Sequence, residues 1–147
     1  MTTDDIKNLR EQTGAGVMDA KRALEEADGD VAKATQIIQV KGLVKAEKRN
    51  ERATGAGLIA SYIHNDRIGV LLDIRCETDF VARTDDFREL ARNVAMHIAA
   101  MNSTNIEVLF TEPFIKDQSL SIENLIKGVI AKVGENIRIE KFCYYAL

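Results

Sequence analysis

The chain has little of what enzymes work with. Its 147 residues include two histidines, His64 and His97, and two cysteines, Cys76 and Cys143. The cysteines lie far apart and form no CxxC pair, so they read as buried thiols rather than a metal site or a disulfide. Cys143 falls near the end of an apolar C-terminal strand. If that strand met its own copy at a symmetric interface, the two thiols could pair. His97 lies beside a helical apolar stripe and reads as structural, while His64 falls in a turn. No Ser, His and acid are spaced to make a triad. Gly55-Ala56-Gly57 is followed by no Gly-Lys-Ser/Thr, which excludes a P-loop. Tryptophan is absent and Pro113 is the single proline, from which nothing about function follows. The formal net charge of -3 argues against nucleic-acid binding by bulk electrostatics. No apolar run approaches a membrane span. Met1-Thr2-Thr3-Asp4-Asp5 opens polar and acidic with no signal-peptide pattern, so a cytoplasmic location is expected.

What is present is a soluble globular composition, enough for one or two small domains. Up to about Ala53 the pattern is helical. Asp4 or Asp5 starts a short helix with Ile6 and Leu9 inward, and Thr13-Gly14-Ala15-Gly16 breaks it. A second helix runs from Val17, with Ala20, Ala23, Leu24 and Ala27 at helical spacing. Asp28-Gly29-Asp30 is a stop and restart, with Gly29 suited to a C-cap and Asp30 to the next N-cap. A third helix carries Val31, Ala34, Ile37 and Ile38. Lys41 to Arg52 is basic but interrupted by Glu47 and Glu51 and free of aromatics, so it reads as a solvated, partly helical linker.

After Gly57 the period changes. Leu58 to Ile63 and Ile68 to Arg75 flank the turn His64-Asn65-Asp66-Arg67 and predict a β-hairpin. Ile68, Val70, Leu72 and Ile74 share one face and Leu71 lies on the other. Asp85 or Asp86 caps a helix whose core stripe is Phe87, Leu90, Ala91, Val94, Ile98 and Met101. Asn102 to Pro113 reads as a loop with a brief strand around Ile106 to Phe110. Ser121 caps the last helix, which buries Ile122, Leu125, Ile126, Val129, Ile130 and Val133 and ends at Gly134. Asn136 to Leu147 is a third strand. The expected fold is α+β: a three-helix bundle with its linker helix over 1–53, then over 54–147 a three-stranded antiparallel sheet with helices on one face. Leu71 and some of Tyr62, Phe142 and Tyr144 are expected on the other face, which would leave an apolar surface for a partner or a second copy.

The rest of the chain is organised around Glu77-Thr78-Asp79-Phe80-Val81-Ala82-Arg83, a strand-to-helix turn of the kind that presents functional groups. Thr78 and Asp79 are both good N-cap types. Phe80 at the tip of a turn has no automatic place in the core. Either it folds back under the following helix, with Asp79 as a mere cap, or the pair recognises a partner. Glu77 and Asp79 could also serve as acid and base or hold a divalent ion through oxygen, but two carboxylates without further ligands carry little.

Two long motifs carry a resemblance. Leu9-Arg10-Glu11-Gln12-Thr13-Gly14-Ala15-Gly16-Val17-Met18-Asp19-Ala20-Lys21-Arg22-Ala23-Leu24 and Cys76-Glu77-Thr78-Asp79-Phe80-Val81-Ala82-Arg83 resemble the two signatures of the elongation factor Ts family. Ile130 to Ile137 resembles its characteristic ending. The likeness covers nearly the whole chain, and the first bundle resembles a ubiquitin-associated domain. The resemblance implies a guanine nucleotide exchange factor rather than an enzyme, without cofactor or metal. Its partner would be the translational GTPase elongation factor Tu in its GDP form. Arg10, Val17 and Met18 would dock on the nucleotide-binding domain of Tu. Thr78, Asp79, Phe80 and Val81 would form the intruding element: Phe80 would wedge near the magnesium site and Asp79 would perturb the region holding the ion. The sheet domain would grip a second domain of Tu. Longer family members carry two related halves in the sheet region and this chain has one, with Asn102 to Pro113 abbreviated. The resemblance to short members implies a homodimer formed through the sheets. The competing readings are a non-catalytic adaptor built on a ubiquitin-associated-like bundle and a small metal-dependent hydrolase using Glu77 and Asp79.

Overall fold

The computed structural model describes residues 2–147. Helix α1 (Thr3–Thr13) starts at Thr2, not at Asp4 or Asp5. The Thr2 hydroxyl accepts from the Asp5 N–H at 3.2 Å, and the Asp5 carboxylate accepts from the Thr2 N–H at 2.7 Å. This reciprocal pair satisfies two donors that a helix end leaves open. Gly14, at φ 70°, ends the helix in the left-handed conformation that glycine adopts without strain. Helices α2 (Val17–Glu26) and α3 (Val31–Lys48) follow, and the Asp30 side chain caps α3 through the Lys33 N–H. Leu9, Ala20, Ala23, Leu24, Ala27 and Ala34 form a small core of their own.

The stretch expected as a solvated linker is the second half of α3. It is helical to Lys48, and Ala46 is buried in the main core rather than the bundle's. Side chains small enough for close approach explain this: a Cβ on Gly42 would lie 3.0 Å from Ala131 Cβ. Composition concealed it, because the packing face consists of small residues between lysines.

Strands β1 (Ala56–His64), β2 (Ile68–Cys76) and β5 (Ile137–Ala146) form an antiparallel sheet in the order β1-β2-β5. The hairpin turn places Asn65 and Asp66 at φ 49° and 57°, the paired left-handed geometry that matches strand twist. Val70, Leu72 and Ile74 face the core, as the alternation predicts. The membership of the other face is corrected. Tyr62, Phe142 and Tyr144 pack against the core, and the outer face carries Ile59, Ile63, Leu71 and Tyr145, all exposed. The cause in β5 is a bulge: Asp73 pairs with Lys141 and Ile74 with Ile139, leaving Glu140 extra. One extra residue inverts the side-chain parity beyond it, so Ile139 and Phe142 point the same way.

Helix α4 (Asp79–Ala82) is a single turn, and α5 (Asp85–Met101) covers the sheet. Thr84, not Asp85 or Asp86, caps α5 through the Phe87 N–H. Phe87, Leu90, Ala91, Val94 and Ile98 are buried as the stripe predicts, while Met101, at its end, is exposed. The expected strand near Ile106 is helix α6 (Ile106–Thr111), capped by the Asn105 side chain on the Val108 N–H at 2.8 Å. Its inward residues, Ile106, Leu109 and Phe110, recur at helical spacing that β-branched composition masked. A minimal hairpin, β3 (Pro113–Phe114) and β4 (Asp117–Ser121), leads into α7 (Ile122–Val133), capped by Ser121. His97 is fully buried. Its Nδ1 accepts from the Ile115 N–H at 3.3 Å, its Nε2 lies 3.5 Å from Glu112, and Ser103 donates to the same carboxylate. Burial holds the imidazole below its usual pKa, with Glu112 opposing. His97 therefore fastens the 103–115 connection to α5. Among the described residues, no helix is long and apolar enough to cross a membrane.

Candidate functional site

The turn after β2 is a presenting device built by its flanks. Cys76 is buried, and its thiol donates to the Thr78 carbonyl at 3.1 Å. Burial, then the Glu135 carboxylate, push this thiol above its usual pKa, consistent with a protonated donor. Thr78 is extended and caps α4, its hydroxyl accepting from the Val81 N–H at 3.3 Å. Four residues are too few to hold a helix on their own. Burial supplies the hold: Val81 and Ala82 are buried in the core. Thr84 then joins α4 to α5 by donating to the Val81 carbonyl at 2.7 Å and accepting from the Phe87 N–H.

This hold leaves Asp79 and Phe80 facing outward. Asp79 is exposed, and Phe80 is 81% exposed. Of the two readings of Phe80, the one that folds it under the helix is excluded by this placement. Val81, expected with the presented group, is separated from it, since its side chain is inside and anchors the turn. Glu77 is likewise committed. Its carboxylate accepts from the Asn136 N–H at 2.9 Å and lies 3.8 Å from the Arg52 guanidinium. Among the described residues no group of three His, Cys, Asp or Glu side chains could hold a metal ion.

A second presented patch lies at the start of α2. Val17 and Met18 are 50% and 58% exposed, with Gly16 extended before them. Arg10 does not extend this apolar patch. Its Nε donates to the Ala15 carbonyl at 3.3 Å and braces the loop that leads into α2. The two patches share a support at the end of α7. The Lys132 stem runs alongside Gly14, where an added Cβ would come within 3.0 Å of it, and its ammonium pairs with Asp86 at 3.1 Å.

Sequence reasoning missed the residues that hold the turn. Glu135 accepts from both the N–H and the hydroxyl of Thr78, at 2.9 and 2.7 Å. Asn136 is buried and donates its amide to the carbonyls of Asn50 and Arg52 at 3.2 and 2.8 Å. No local pattern announces these contacts, which span 57 and more residues. The available sign was the segment Ile130 to Ile137, which contains both residues and resembles the family's characteristic ending.

Comparison with known proteins places the chain in a family. The elongation factor Ts family model matches residues 77–147, from the presenting turn to the C-terminus. An elongation factor Ts of Thermotoga neapolitana is 40% identical over 189 aligned positions that take in 99% of this chain and 96% of the relative. That of Fervidobacterium nodosum is 43% identical over 183 positions, 93% of each chain. Both alignments exceed the 147 residues of this chain, so both relatives carry inserted segments that it lacks. The Aquifex aeolicus protein is 45% identical over 152 positions, taking in 99% of this chain and 52% of that longer relative. With matches of this identity running nearly end to end, and with the turn itself inside the matched region, the chain belongs to the elongation factor Ts family.

Proposed function

We propose that the protein is a guanine nucleotide exchange factor that binds elongation factor Tu in its GDP form and promotes GDP release. The observation that carries this reading is Phe80, an aromatic 81% exposed on a turn held from behind by buried neighbours. Folding gives no reason to expose an aromatic on a rigid mount; recognition does, since aromatic anchors dominate interface energetics. Exchange also asks for no catalytic group on the factor. It asks that factor and nucleotide oppose each other on the GTPase, and linkage makes the opposition reciprocal: if the factor weakens GDP, GDP weakens the factor by the same ratio. Phe80 wedges near the magnesium site and Asp79 perturbs the region that holds the ion. Val17 and Met18 dock on the nucleotide-binding domain, with Arg10 and Thr78 holding the two presenting loops.

The test is release of a fluorescent GDP analogue from purified elongation factor Tu. Acceleration by this chain supports the reading. No acceleration by folded protein with a matched Tu puts the adaptor reading in front. Met18→Asp places a charge in the docking patch and is expected to weaken Tu binding about tenfold, or about 1.4 kcal/mol, with the unfolding midpoint unchanged. Titration calorimetry reads it, and unchanged affinity removes Met18 from the contact.

We propose two working units, a helical one over 1–53 and an α+β one over 54–147, with the second also forming a homodimer. The support is the apolar outer sheet face: Leu71 is flanked by Ile59, Ile63 and Tyr145, with Cys143 paired opposite it. A patch of this kind on one sheet face fits a second copy of the same face. Leu71→Asp is expected to give a monomer by sedimentation at micromolar concentration, where the wild type is a dimer. A monomeric wild type defeats the proposal.

A further inference from the structure

Among the described residues, the one side chain from outside residues 76–83 that hydrogen-bonds to Thr78, the cap of α4, is Glu135. Glu135 lies on the strap between α7 and β5, and its two carboxylate oxygens take the N–H and the hydroxyl of Thr78 at 2.9 and 2.7 Å. With its hydrogen directed at Glu135, the Thr78 oxygen keeps a lone pair for the Val81 N–H at 3.3 Å. The carboxylate thus selects the rotamer in which Thr78 caps α4. The post itself is fixed. Next to Glu135, the Asn136 N–H donates to Glu77 at 2.9 Å, and its amide donates to the Asn50 and Arg52 carbonyls in the turn that follows α3. Three residues before it, Lys132 lies against Gly14, just ahead of the Met18 patch.

We propose that Glu135 is a positioning residue for nucleotide exchange: it locks Thr78, and through Thr78 the orientation in which Asp79 and Phe80 meet the GTPase. This rests on the exchange reading above. An acid is suited to the task because it accepts twice and both bonds are charge-assisted, shorter and stronger than neutral ones. A one-turn helix has no internal reserve to replace them. The anchoring of the strap to the turn after α3 also fixes the presenting turn relative to the helical bundle, so that a partner meets both presented patches at a set spacing.

Two variants and two readouts test this. Glu135→Ala removes both acceptors. Glu135→Gln keeps both contacts in neutral form, with the Thr78 N–H donating to the amide oxygen and the amide N–H donating to the Thr78 hydroxyl oxygen. In the isolated protein, Glu135→Ala is expected to speed amide hydrogen exchange at Thr78, Val81 and Ala82 about tenfold, a local opening that leaves protection of β2 and α5 intact. With elongation factor Tu, the GDP-release rate at saturating factor is expected to fall about tenfold, as misplacement of a positioned group does. The half-saturating concentration should stay within about twofold. Glu135→Gln should restore most of both. Unchanged protection at the three amides overturns the proposal, as does lost protection with an unchanged saturating rate. Loss of protection throughout the sheet would also overturn it, by making Glu135 a general structural residue. If the wild type itself fails to speed GDP release, the exchange reading falls on that result alone. The hydrogen-exchange arm still decides whether Glu135 holds the turn.

Discussion

Phe80→Ala is expected to remove most of the acceleration of GDP release while leaving the protein folded. The two halves of this result have separate causes. Phe80 is 81% exposed and belongs to no core cluster. Truncating it leaves no cavity, and exposed substitutions away from caps and cores usually stay within about 0.5 kcal/mol. Thermal unfolding of the variant should therefore overlay that of the wild type. Its function should not. A central aromatic anchor costs about 2 kcal/mol or more when cut to alanine, at least about thirtyfold in the exchange rate at limiting factor. Phe80→Leu, which keeps an apolar wedge, should recover part of it. The decisive contrast is between stability and exchange measured on the same preparation. A variant that unfolds would place Phe80 in the core, and one that exchanges normally would remove the anchor from the mechanism.

Much of this was readable from residues alone, and the parts that were not share a cause. The hairpin, the α5 stripe and the presenting turn are local: their periodicity and caps lie within a few residues, where pattern arguments apply. Four places fail. At Lys41 to Lys48, small residues pack against α7, but only the charges catch the eye. At Ile106, β-branched side chains suggested a strand, whereas Asn105 as a cap and the spacing of Ile106, Leu109 and Phe110 make a helix. At Glu140 a bulge inverts the faces of β5, and nothing in an alternating sequence marks where one residue is skipped. At the site, Asp79 and Phe80 are legible as candidates, although local chemistry leaves open whether Phe80 is core or exposed, and only the fold decides it. Val81 and Glu135 are not, because one turns inward on packing and the other acts from 57 residues away. Tertiary contacts decide both, and local pattern carries no record of them.

Phe87→Ala is the reverse experiment, seven residues along the same segment. Phe87 is fully buried and opens α5, with its N–H on the Thr84 cap. Its ring packs in the main cluster with the sheet residues Leu72 and Ile74. Removing it costs the transfer free energy of the ring and leaves a cavity in the core that Val81 and Ala82 share, together about 3–5 kcal/mol. Against a total of about 5–15 kcal/mol for a domain, that is a large share. Thermal unfolding should fall by about 10 °C or more, measured by circular dichroism. Because the presenting turn is anchored in the same core, exchange should also fall, but only in step with the folded fraction. Phe87→Leu, which refills most of the space, should recover both together. Two phenylalanines on one short segment are thus expected to divide the work. Phe80 carries function without stability and Phe87 carries stability, with function only by way of it. If Phe87→Ala stayed folded at full stability but lost exchange, the core placement of Phe87 would be wrong, and with it the account of what holds the turn from behind.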